Sequence, residues 1–98
     1  NDLPSAKALA DTLIYMIDGI IAAHPDKFAR GDSPEMIEAN FEKGLISLPM
    51  GMENGAPLIS LDDIRYYYSK GIRYVTLTHG KDNHICDSAH MGFRLLLK

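Results

Sequence analysis

Tryptophan is absent from these 98 residues, and Cys86 is their one cysteine. A single thiol excludes an internal disulfide and leaves the redox compartment open, since many exported proteins carry none. Basic clusters are missing too. Ten lysines and arginines are scattered among thirteen acidic residues, giving a net charge of −3 and a pI near 5.7. That balance argues against a nucleic-acid footprint and offers no polybasic patch to a membrane surface. No run approaches the ~20 apolar residues of a spanning helix. The opening Asn1-Asp2-Leu3-Pro4 has no basic stretch followed by an apolar one, so no signal peptide is expected, although a processed chain would read the same. No small-residue site with a hydrophobic tail signals a lipid anchor. The compartment stays open between cytoplasmic and exported.

What is present suits a soluble globular chain: 46% hydrophobic and 23% charged residues. The length allows one domain at most, with a small core. Leu9, Leu13, Met16, Ile17, Ile20 and Ile21 recur at helical spacing and predict an amphipathic helix over about 6–23. His24-Pro25 ends it, and residues 25–32 read as a turn region. Ser33-Pro34-Glu35 predicts a helix start, with the helix running to about Glu42 and stopping near Gly44. Residues 45–50 read as a short buried strand limited by Pro49, and 51–57 as loop. Ser60-Leu61-Asp62-Asp63 has the form of a capping box. The helix it opens places Leu61, Ile64, Tyr67 and Tyr68 on one side, and Gly71 caps its end. Residues 72–77 make the second strand. Strand, helix, strand at this spacing is a βαβ unit, with parallel strands and a right-handed crossover.

Two chemistry-bearing stretches follow those strands. One is Gly51-Met52-Glu53-Asn54-Gly55; the other runs from Tyr74 through Thr76-Leu77-Thr78-His79 to Asn83 and Asp87-Ser88. Parallel strands send their C-terminal ends to one side of a sheet, so Glu53 and His79 are expected to face one space. In an α/β barrel that face is where active sites are built.

In this order, Gly-Met-Glu-Asn-Gly, a helix, Arg-Tyr-Val-Thr-Leu-Thr-His and then Asn and Asp-Ser resemble the membrane dipeptidase (renal dipeptidase) family of zinc peptidases. Asn1-Asp2-Leu3-Pro4 is similar to that family's opening His-Asn-Asp-Leu-Pro, whose His falls just before residue 1. The resemblance implies a partial (β/α)8 TIM-like barrel containing the βαβ unit. Residues 1–98 would be a fragment of one metallo-dipeptidase domain, because a closed barrel takes ~250 residues. It implies zinc-dependent hydrolysis of the peptide bond of dipeptides by a metal-activated hydroxide, with two Zn2+ ions per site in the complete protein. It further implies tolerance of a D-residue at the C-terminal position, and a homodimer. By the same resemblance Asp2 is a ligand to one zinc and Glu53 bridges both. His79 is then no ligand; it contacts the substrate and stabilises charge on the tetrahedral intermediate. The other ligands and substrate-binding residues come from elsewhere in the family's fold, so these 98 residues alone are expected to be inactive. The family pattern also leads us to expect chain breaks within 4–8 and 88–92.

Each residue has a blander reading. Glu53 can be a solvated turn carboxylate, His79 a capped structural histidine and Asp2 an exposed terminal residue. The chain would then be a small stand-alone α/β binding or interaction module without metal. A third reading keeps barrel and site and changes the substrate: another metal-dependent hydrolase. Asp82, His84, Cys86 and His90 are zinc-ligand types, but their spacing fits no common structural zinc pattern. Asn83 and Asp87 are instead expected to organise the loop by side-chain-to-backbone hydrogen bonds, and Cys86 to be a small buried residue. His24 is expected to neutralise the carbonyl end of the first helix, and Tyr66-Tyr67-Tyr68 to serve helix packing.

Overall fold

Ser5 starts the first helix. Its Oγ accepts the Ala8 amide at 3.1 Å, and α1 then runs uninterrupted over Ala6–Ala23 in a computed structural model that describes residues 5–89. The break expected within 4–8 does not occur over 5–8, where the Leu9 amide closes the first turn on the Ser5 carbonyl at 3.0 Å. Pro4 and residues 90–92 lie outside the described residues. At the other end of α1 the backbone amide of His24 donates to the carbonyls of Ile20 and Ile21, while its ring packs edge-on against Phe28.

Phe28–Arg30 forms β1, where the sequence suggested only turn. Helix α2 spans Pro34–Glu42, with the Ser33 side chain accepting the Met36 amide, and the chain leaves it through Gly44 at φ 75°. The strand expected at 45–50, with loop after it, is instead two strands: β2 over Ile46–Leu48 and β3 over Met50–Glu53. Pro49, lacking an N–H, separates them. Helix α3 covers Leu61–Ser69. The Asp63 carboxylate accepts the Ser60 amide at 3.0 Å as the returning arm of the capping box. Gly71, at φ 108°, turns the chain out of α3 as a glycine after a helix does, and β4 follows over Ile72–Thr76.

Both strand pairs are parallel. β1 pairs with β2, Phe28 opposite Ile46 and Arg30 opposite Leu48. β3 pairs with β4, Met50 opposite Ile72 and Glu53 opposite Thr76. A helix connects the strands of each pair, as parallel neighbours require. The fold of the described residues is therefore mixed α/β in two two-stranded sheets. Buried Asn40 ties the first pair to α2: its Nδ2 donates to the Arg30 carbonyl at 2.8 Å and to Ser47 Oγ at 2.9 Å.

The core is small: Ile14, Met50, Met52, Tyr67 and Ile72. The apolar stripes read from the sequence lie largely open. Leu9, Leu13, Met16 and Ile20 on α1 are exposed, and Ile14 is the buried residue of that helix. On α3 Tyr67 is 2% exposed, whereas Leu61, Ile64 and Tyr68 are open. Nothing among the described residues covers these stripes. Burial pushes the Tyr67 hydroxyl up to about 12, with the Asp11 carboxylate adding to the effect.

Candidate active site

β3 alternates as a strand does. Met50 and Met52 point into the core, while Glu53, the last residue of the strand, is exposed. Gly51 faces Tyr74 across the pair, and a β-carbon there would land 1.9 Å from the Tyr74 ring. Glu53 sits opposite Thr76, the last residue of β4, and His79 follows three positions later, also exposed. Both stand at the C-terminal end of one parallel pair, as the sequence suggested. Glu53 is in the strand, not in the loop beyond it.

Past that end the two loops are bonded to each other. Asn54 takes φ 152°, rare for a residue with a β-carbon. Its Oδ1 accepts the Ala56 amide at 3.0 Å and Asn83 Nδ2 at 2.9 Å. The same Asn83 Nδ2 donates to the Leu77 carbonyl at 2.7 Å, which also accepts the Gly55 amide at 3.1 Å. Asn83 Oδ1 accepts the amides of Ile85 and Cys86. A β-carbon on Gly55 would fall 2.5 Å from Ile85 Cδ1, so glycine permits this approach. Ser88, 1% exposed, donates its hydroxyl to the His79 carbonyl at 3.2 Å, and its amide goes to Asp82 Oδ1 at 2.6 Å.

Asn83 organises the loop as anticipated. Asp82, rather than Asp87, is the carboxylate seen accepting a loop amide. Cys86 is exposed, not buried; the small buried residue of this loop is Ser88, whose amide and hydroxyl are both bonded within it. The His84 ring meets the Leu58 carbonyl, adding a third tie between the loops. Among the described residues no three His, Cys, Asp or Glu side chains gather as a metal cluster; His90 and Asp2 lie outside them.

A groove of about 480 Å3 opens between α1 and β3, lined by Leu9, Leu13, Ile17, Met50, Met52 and Glu53 among others. His79 does not line it. The structure thus brings Glu53 and His79 to one end of one sheet, and of the two residues Glu53 lines this groove. The Glu53 carboxylate has no hydrogen bond or ion pair among the described residues, so both its oxygens are available as hard donors of the kind a divalent cation takes. No helix among the described residues is long and apolar enough to cross a membrane.

Residues 2–94 match the family model of the membrane dipeptidases, peptidase family M19. An Aspergillus terreus protein named Dipeptidase ataJ is 34% identical over 92 residues, covering 91% of this chain. A Schizosaccharomyces pombe protein named as an uncharacterized dipeptidase is 32% identical over 95 residues, covering 90%. The chain spans 22% of the length of each of these relatives. The strand pair that carries Glu53 and the loop that carries His79 both lie within the matched stretch, and the chain belongs to the membrane dipeptidases of peptidase family M19.

Proposed function

We propose that the complete protein hydrolyses the peptide bond of dipeptides, with two zinc ions held in part by Asp2 and Glu53. The observation that carries this is the placement of Glu53 and His79 at the C-terminal end of the β3–β4 pair, in a chain of the dipeptidase family. Two parallel strand pairs, each closed through a helix, suit a segment of a (β/α)8 barrel. Family membership does not favour a stand-alone binding module. Zinc, when bound, supplies Lewis acidity and lowers the pKa of a water molecule toward neutrality. The part of Glu53 is to present two carboxylate oxygens to the metals. The part of His79 is to donate a hydrogen bond to the substrate carbonyl oxygen as negative charge grows on it. The remaining ligands come from other parts of the complete protein, which we read as a homodimer.

The test separates the two roles. In the complete protein, Glu53→Gln should lower metal content measured by mass spectrometry, since a neutral amide would replace a charged oxygen ligand. His79→Ala should keep the metal and lower turnover, by ~10²–10³ if it removes one stabilising donor. Release of zinc by His79→Ala with two ions retained in Glu53→Gln would reverse the assignment. Dipeptide hydrolysis untouched by either change would end the reading.

A further inference from the structure

We infer that Asn83 and Asn54 form one clamp that sets the position of His79 relative to Glu53, and that both are positioning residues for the reaction; the catalytic part of this rests on the function proposed above. Asn54 is the residue after Glu53, and its Oδ1 accepts Asn83 Nδ2 at 2.9 Å. Asn83 Nδ2 also holds the Leu77 carbonyl at 2.7 Å, two residues before His79. One amide group therefore touches both loops, one beside each functional side chain. Both ends of the His79 segment are fixed, since Ser88 Oγ donates to the His79 carbonyl from its other side. The backbone at Asn54 points the same way. At φ 152° glycine would be the easy choice, and Asn54 instead supplies the oxygen that Asn83 needs.

This yields two variants that cut the link from opposite ends, each also giving up one bond within its own loop, to Ala56 and to Leu77 respectively. Asn54→Gly suits the backbone angle and removes the acceptor. Asn83→Asp keeps an oxygen for the amides of Ile85 and Cys86 and removes the donor. If the pair is one clamp, each variant of the complete zinc-loaded protein loses about 10–100-fold in kcat, the scale of a misplaced catalytic group, with KM changed less than about twofold. The double variant then falls by clearly less than the product of the two single losses, because both remove the same link. Losses that multiply in the double variant would overturn the clamp, as would a fully active Asn54→Gly. A second readout does not depend on activity. Amide hydrogen exchange in Asn83→Asp should quicken at Gly55 and Ala56, across the link, as well as within 77–86. Acceleration confined to 77–86 refutes the clamp. A wild-type protein without dipeptidase activity refutes the proposed function instead, and the exchange experiment still decides the clamp.

Discussion

Asp63 does several tasks with one carboxylate. It accepts the amides of Ile59 and Ser60 and meets Lys7 Nζ at 2.9 Å, joining the start of α3 to the start of α1. The Lys7 hydrogen bond, then that from Ile59, lowers its pKa from 3.8 to about 2. The unfolded chain therefore takes up this proton before the folded one does. The stabilisation is fully present above about pH 4, and it is lost as pH falls toward 2. Asp63→Asn should lower the thermal midpoint at pH 6 and flatten its fall between pH 4 and 2, measured by circular dichroism melts across that range. An unchanged acid slope would show that other carboxylates govern acid unfolding. The four-residue capping pattern made Asp63 readable from sequence. Asn54 was not readable, because its partner lies 29 residues away and nothing local marks the pairing.

The elements divide in a similar way. Ser33-Pro34 and Gly71 carry their own capping chemistry, so the helices and the parallel crossover were legible from local residues. β1 was hidden because three residues, Phe28–Arg30, show no alternation to read. Gly51 and Glu53 looked like loop because glycine and an exposed acid are poor strand formers, yet pairing with β4 holds them extended. Gly51 offers a direct check. Its missing β-carbon leaves the space that the Tyr74 ring occupies. Gly51→Ala should therefore destabilise the β3–β4 pair, by about 1 kcal/mol at the low end of overpacking costs, because the ring, already 61% exposed, must move aside. Tyr74→Ala removes the obstacle, so adding Gly51→Ala to it should cost little. Urea denaturation of the four proteins closes the cycle; additive losses would mean that the ring and the glycine do not meet.

At the scale of the whole molecule, the apolar faces outnumber what the core can use. Phe41 is 81% exposed, Ile59 72% and Leu61 70%, beside the open stripe of α1. We expect the 98 residues expressed alone to bind a hydrophobic dye strongly and to associate without a fixed size, as large exposed apolar patches do, whereas the complete protein should bind little dye and stop at the dimer. Dye fluorescence with size-exclusion chromatography compares the two; a monodisperse, dye-silent isolated chain would contradict the expectation. The amphipathic spacing of these helices was legible in the sequence, but not which face would find a partner, since that depends on contacts beyond the segment itself.

The parallel pairing has a kinetic side as well. Phe28 meets Ile46 and Met50 meets Ile72, so each ladder closes across only about twenty residues, and loop-closure entropy rises slowly with such lengths. Neither pair waits on a distant strand for its backbone partners. During synthesis, which proceeds from the N-terminus at ~5–20 residues per second, the β1–β2 ladder can zip before β4 has left the ribosome. The end of the sheet that carries Glu53 is the last part of this stretch to be built.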